Sequence, residues 1–325
     1  VNYRPGGTAK VLSGRFCEWA GDYSPLVWSS MNRKPSLPLV LVPLLVAAGC
    51  GTAEDIPPQP EAPDDTISLP DAHLTSLGDS YASMGGRDSP RSGPDYCYRT
   101  IDNYPALVGE RAAVFEDVSC QGAVTDDLLQ PRSTPDGELP SQLEALTPEV
   151  DIVTLTIGGN DIGFGRLADC VLLSTGSEGQ SDCRGLLESE VAQEMDALPA
   201  QLDEIYEQIG QRTDGAEVFA TGYMPLVASV PESDEVCVGM EVISDADQEW
   251  TVGLIAELNH VVEAAAERNG AEFVMPEGAD NHTSCAEPEQ RWVDLLGVQT
   301  DAYPLHPTSL GQQAMADALT SSMEE

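Results

Sequence analysis

The chain predicts an α/β fold, a three-layer α/β/α sandwich around a short parallel sheet of about five strands, an ordinary size for a sheet. Three observations lead there. From Ala72 onward, short β-branched runs alternate with longer segments of helical period, the pattern of parallel strands joined by crossover helices. The first run ends in a glycine turn with a serine just behind it, as where a strand feeds a helix. No internal repeat breaks the alternation.

In chain order, His73–Leu77 is the first strand. Gly78 closes it, and Ser80 stands at the mouth of the next helix. The first N–H groups of a helix lack intrahelical partners, so a hydroxyl there sits beside an anion-binding amide. Tyr104–Glu110 reads as a helix behind Asn103, a capping residue. Ala113–Val118 is the second strand, Ser141–Leu146 a short helix and Asp151–Ile157 a buried third strand. Leu187–Gln211 is a long helix and Glu217–Thr221 the fourth strand. Asp245-Ala246-Asp247 starts an amphipathic helix that Asn269-Gly270 stops after Arg268. Ala271–Val274 is the fifth strand. The last helix, Thr308–Ser322, has Leu310, Ala314, Met315, Ala318 and Leu319 at helical spacing.

The chain before Ala72 does not belong to this pattern. Residues 1–30 have neither period nor caps and read as a non-native upstream extension, translation starting at Met31; a cytoplasmic lead-in is the alternative. Residues 31–49 combine a basic stretch, Asn32-Arg33-Lys34, with the apolar run Leu37–Ala48 and small residues before Cys50, which is the layout of an export signal. A run of about 12 residues falls short of the roughly 20 that span a bilayer. Val46-Ala47-Ala48-Gly49-Cys50 resembles the lipobox of bacterial lipoproteins, which implies lipidation at Cys50; an ordinary secretory signal is the alternative. Residues 50–71, with Pro57, Pro58, Pro60, Pro63 and Pro70 among acidic residues, read as an extended tether. Residues 72–325 form the folded domain.

Fifteen basic residues against 55 acidic ones leave a formal charge of −40, and Lys10 and Lys34 are the only lysines. Such a surface repels phosphate backbones, so no nucleic-acid partner is expected. Salt adaptation and an acid-rich secreted protein of ordinary habitat account for the charge equally well. Apart from Cys17 and Cys50, six cysteines remain, an even number that reads as disulfides in an exported chain. Order in the chain favours Cys97–Cys120, Cys170–Cys183 and Cys237–Cys285. Neither a C-x2-C pair nor a Cys/His cluster at ligand spacing is present, so no metal and no cofactor are expected.

Three pieces carry chemistry. Ser80, in Gly78-Asp79-Ser80, is the candidate nucleophile, with a serine helix cap as the alternative role. Asn160, in Gly158-Gly159-Asn160-Asp161, follows a buried strand. Its amide can donate to an oxyanion without titrating, or cap a helix. His306, before Pro307 and the last helix, is the candidate base; His282 is its rival, and His73 and His260 read as structural.

In this order the pieces resemble the SGNH (GDSL) family of ester hydrolases, from about Leu74 to Leu319, with the look of actinobacterial secreted lipases and esterases. The resemblance implies a flavodoxin-like version of the sandwich and the same three disulfides. It implies an oxyanion hole from Ser80 N–H, Gly122 N–H and the Asn160 side chain. The family usually has Asp three residues before the histidine, where this chain has Tyr303. Some relatives use a main-chain carbonyl at that position, so the expected acceptor for His306 Nδ1–H is the Tyr303 carbonyl, with Asp301 the alternative. Asp79 is expected to stabilise the turn rather than to act as the acid.

The expected function is an exported, lipid-anchored serine ester hydrolase acting on acyl esters, working as a monomer on a small-molecule or lipid ester at the outer face of the cell membrane. A carbohydrate O-deacetylase of the same fold and a non-catalytic ligand-binding lipoprotein are the alternatives. The loop between Cys170 and Cys183 and the stretch Met224–Ser244 are candidate walls of an acyl pocket.

Overall fold

In the computed structural model, which describes residues 68–174, 181–227 and 243–324, a 3₁₀ turn at Leu69–Asp71 buries Leu69 to 1% exposure. Leu69–Asp71 therefore belongs with the folded unit, ahead of the boundary expected at residue 72, because an apolar side chain buried this fully is part of the core. All described residues lie in one unit, Ala62–Glu325. Met31, the export signal and Cys50 lie outside the described residues.

Strand β1 (His73–Gly78) leads into helix α1 (Ser80–Ser83), followed by α2 (Tyr104–Gly109), β2 (Val114–Asp117), α3 (Thr125–Leu129) and the hairpin β3 (Arg132–Thr134) and β4 (Gly137–Leu139). Strand β5 (Ile152–Thr156) precedes α4 (Phe164–Ser174) and the long α5 (Cys183–Arg212). Strand β6 (Glu217–Thr221), α6 (Asp245–Arg268) and β7 (Glu272–Val274) follow, then β8 (Val293–Asp294), β9 (His306–Pro307) and α7 (Ser309–Ser322).

The five predicted strands form one parallel sheet in the order β2-β1-β5-β6-β7. Strand β5 is buried at every position and pairs with β1 from Leu74–Ile152 to Gly78–Thr156. Buried on both faces, these strands show the continuous Ile/Val/Leu/Thr runs seen in the sequence. Strand β2 is an edge, with Val114 and Glu116 exposed, and a charged edge discourages further pairing. Helices α1, α2 and α7 pack together as one layer, and α3, α4, α5 and α6 as the other, which makes the three-layer α/β/α sandwich.

The chain steps from β1 outward to β2, then returns across β1 to β5 and continues the other way. Such a switch point opens a crevice at the carboxyl ends of the two central strands. Ser80 follows β1 and Asn160 follows β5, so the topology brings the two motifs side by side.

The expected helix at Ser141–Leu146 is a 3₁₀ turn, Gln142–Ala145. Pro148 disfavours helical backbone at Thr147, and Pro140 bounds the segment on its other side. Cys97 is bonded to Cys120 and Cys170 to Cys183. Cys285 is disulfide-bonded, and Cys237, its expected partner, lies outside the described residues.

Candidate active site

Ser80 opens α1 from a turn that only glycine can make. Gly78 has φ +146°, and a Cβ there would lie 2.5 Å from the Thr156 carbonyl oxygen. Buried Gln142 accepts from Gly78 N (2.7 Å) and donates to Gly78 O (2.9 Å), pairing both main-chain groups of the turn. Asp79 caps α1, accepting from Tyr81 N at 2.8 Å. From α7, Gln312 donates to the carbonyls of Tyr81 (3.0 Å) and Met84 (2.8 Å), covering oxygens this short helix leaves open.

His306 arrives 226 residues after Ser80, with Nε2 2.8 Å from Ser80 Oγ. Its Nδ1 lies 2.7 Å from the carbonyl oxygen of Pro304. That corrects the expectation of the Tyr303 carbonyl. The Tyr303 oxygen already accepts the His306 main-chain N–H (3.1 Å), closing a turn with Pro304 second and Leu305 third, at φ +64°. Proline followed by a left-handed residue is the pattern of a type II turn, and the middle peptide of this turn presents Pro304 O to the ring. Asp301 is engaged elsewhere too: its carboxylate takes the Ser309 hydroxyl, and the Ser309 amide at 3.3 Å, at the start of α7.

A carbonyl oxygen can only accept, so Nδ1 carries the proton and Nε2 offers its lone pair to Ser80. Burial lowers the His306 pKa below the usual imidazole value, with the Pro304 contact acting in the opposite sense, so the ring is neutral at pH 7. A positive φ costs a residue with a Cβ about 1–2 kcal/mol. Leu305 is held in it by its own N–H on Asp294 O (2.8 Å) and by Tyr81 Oη on its carbonyl (3.0 Å).

Asn160 lies at the far side of the switch point. Its Nδ2 donates to Ala123 O at 3.0 Å, and Cys120 N donates to Gly78 O at 3.0 Å. These bonds draw the turn carrying Gly122 against both β1 and Asn160. Asp161 adds a clamp, accepting from Thr125 N (3.0 Å) and Thr125 Oγ1 (2.6 Å) at the start of α3. Among the described residues, the N–H groups of Ser80 and Gly122 have no hydrogen-bond partner.

A cavity of about 70 Å³ covers Ser80, walled by Asn160, Phe164, Tyr223, Leu305 and His306; Gly122 is not part of its wall. A larger cavity of about 300 Å³ lies at the β2 edge among Val118, Ala123, Leu139 and Ala145, and contains neither Ser80 nor His306. Size alone does not mark the chemistry here. Asp79 touches no histidine, in keeping with a turn-stabilising role. His282 stacks on Trp292 at 4.0 Å with Nδ1 at Gln290 O (2.6 Å), a packing arrangement away from Ser80. His73 begins β1 and His260 lies within α6. Most of Met224–Ser244, and residues 175–180 of the Cys170–Cys183 loop, lie outside the described residues.

Sequence reasoning missed Gln142, Pro304, Gln312 and Tyr223. Gln142, Gln312 and Tyr223 act through contacts made only when distant segments meet, and Pro304 acts through a local turn that puts its carbonyl on His306 two residues on.

The profile of the GDSL-like lipase/acylhydrolase family matches residues 76–314. Lipase 2 of Streptomyces coelicolor is 30% identical over 298 residues, covering 87% of this chain and 96% of that protein. Among solved structures, phospholipase A1 from Streptomyces albidoflavus superposes with a TM-score of 0.60 at 28% identity, covering 77% of this chain and 99% of its own. The extracellular lipase of Streptomyces rimosus gives 0.59 at 26% identity, with coverage of 77% and 99%.

Proposed function

Because the chain belongs to the GDSL-like lipase/acylhydrolase family and is a carboxylic-ester hydrolase, we propose that it is an exported lipase or esterase that cleaves acyl esters with Ser80 as nucleophile and His306 as base. The observation that carries the reading is the 2.8 Å approach of His306 Nε2 to Ser80 Oγ, with the proton-bearing Nδ1 on Pro304 O.

His306 takes the Ser80 proton as Oγ attacks the ester carbonyl. The oxyanion forms against the Ser80 and Gly122 amides and the second N–H of the Asn160 side chain. His306 returns the proton to the departing alcohol, and water attacks the acyl-enzyme by the same route. In this mechanism the Pro304 carbonyl orients the imidazolium with a dipole, where a carboxylate would add a full charge. The reading of a dead ligand-binding lipoprotein rested on the missing Asp at position 303, and an acceptor one residue along removes that ground.

Export and a lipid anchor at Cys50 are supported by the signal-like run before Cys50 and by the description of the Streptomyces rimosus relative as extracellular. Labelled palmitate is expected to enter the wild-type protein and not Cys50→Ser; equal labelling of both removes the anchor.

The function is tested by hydrolysis of p-nitrophenyl esters from acetyl to palmitoyl, beside Ser80→Ala. The variant is expected to lose about a million-fold in rate, and a preference for long chains supports acyl lipids as substrates. Preference for acetyl alone would turn the assignment toward deacetylation, and unchanged activity in Ser80→Ala would remove the nucleophile.

A further inference from the structure

Tyr223 has no part in the mechanism above, yet its hydroxyl joins the turn that carries Ser80 to the turn that carries Asn160. It lies just beyond β6 and is 1% exposed. Asn259 of α6 clamps its main chain, accepting from Tyr223 N (2.7 Å) and donating to Tyr223 O (2.8 Å). The ring meets Tyr81 with centroids 4.9 Å apart, stacks on Phe164 at 5.9 Å and lines the cavity over Ser80. Its hydroxyl donates to Asp79 Oδ2 at 2.6 Å and accepts from Gly159 N at 2.8 Å. The approach is close enough that a Cβ on Gly159 would come within 2.8 Å of the tyrosine ring.

These bonds run one way. The Gly159 N–H points to the Tyr223 oxygen, the Tyr223 O–H points to Asp79, and the Tyr81 N–H points to the other Asp79 oxygen. The run ends on a group that must accept twice without donating, which suits an ionised carboxylate. A protonated Asp79 that kept its place would bring a second hydrogen to the Tyr223 oxygen or break one of the links.

We propose that Tyr223 and Asp79 are a pair of positioning residues that holds the Ser80 turn and the Gly159–Asn160 turn in register, and that the pair works only with Asp79 ionised. The inference rests on Ser80 as nucleophile and Asn160 as oxyanion donor. The titratable groups facing Asp79 are Tyr81 of α1, Tyr223 beyond β6, Asp161 beyond β5 and Tyr104 of α2, with the His306 ring 5.6 Å from that of Tyr81. Among the described residues no cation bonds to Asp79. Burial raises its pKa to about 7; the bonds from Tyr223 and Tyr81 hold it down, and Asp161 pushes it further up. Removing the Tyr223 hydroxyl therefore moves it higher.

The test compares the oxidised wild-type protein with Tyr223→Phe and Ser80→Ala on p-nitrophenyl butyrate from pH 5 to 9. Tyr223→Phe is expected to lower kcat about 10-fold, less than the loss of an oxyanion donor itself, with KM little changed. Its acid limb is expected to move up by about one pH unit, the order for one lost hydrogen bond to a charged acceptor. A loss confined to KM, or a limb that stays in place, overturns the pair. Full activity in Tyr223→Phe beside a dead Ser80→Ala overturns the pair and leaves the nucleophile standing; an active Ser80→Ala overturns the reading beneath it. If Tyr223→Phe does not fold, Asp79→Asn decides. The acid limb should then fall to that of His306, below the usual imidazole range, and a limb left at about 7 overturns the proposal.

Discussion

The hydroxyl of Tyr81 donates to the main-chain oxygen of Leu305 at 3.0 Å, bridging 224 residues of sequence. Tyr81 follows Ser80 and Leu305 precedes His306, so one bond joins the segment of Ser80 to the turn of His306. It also helps hold Leu305 at a φ of +64° that the residue would not choose alone.

Tyr81→Phe leaves the buried Leu305 oxygen without this donor. Stability should fall by about 1–2 kcal/mol, read as a lower urea midpoint. The rate on p-nitrophenyl butyrate should fall about 10-fold through looser Ser80–His306 geometry. Wild-type kinetics in the variant would mean that Leu305 holds its conformation without Tyr81.

Pro304→Gly tests the acceptor for His306. The carbonyl remains, but the ring that sets the second position of the turn is gone, so Pro304 O is held less firmly on Nδ1. We expect kcat to drop about 10-fold with little change in KM, the pattern of a misaligned base. A rate equal to wild type would show that the turn keeps its shape without proline.

Asp79 should leave a signature in stability as well as in rate. Burial pushes its folded pKa up to about 7, above that of an ordinary carboxyl. Its contribution is therefore fully present below the unfolded value and is lost as pH rises toward 7. Between pH 5 and 7 the wild type should lose about 2 kcal/mol relative to Asp79→Asn, at about 1.4 kcal/mol per pH unit for one proton. Parallel stability curves for the two proteins would mean that the carboxyl is not held neutral in this range.

The Cys97–Cys120 bond closes a segment with a sequence separation of 23 and anchors the turn that carries Gly122, where Gln121 N also donates to Cys97 O at 3.1 Å. Replacing both cysteines with alanine should cost about 3 kcal/mol by the loop-closure argument. If Gly122 supplies an oxyanion donor, kcat should fall as well. Lost stability with unchanged kcat would count against that role.

Much of the architecture could be read from composition and period. The five strands of the sheet are short β-branched runs, and the long helices carry an apolar spacing that survives any reasonable choice of neighbours. The five-residue α3 and the three-residue β3 and β4 have no counterpart in that reading, because a period needs several turns or alternations to show. Ser80, Asn160 and His306 stood out since each sits in a local motif beside glycine or proline.

The partner of His306 could not be read the same way. Tyr303, Pro304 and Asp301 lie within a few residues of one another, and nothing in the string says which oxygen faces the ring. That was settled by a turn whose third residue is forced left-handed, with its amide tied to Asp294 and its carbonyl to Tyr81. Tyr223 was equally silent until β6 lay beside β5 and its hydroxyl reached Asp79 and Gly159. Local runs encode strands and helices because those depend on near neighbours along the chain; hydrogen bonds across 144 or 224 residues depend on how the layers close.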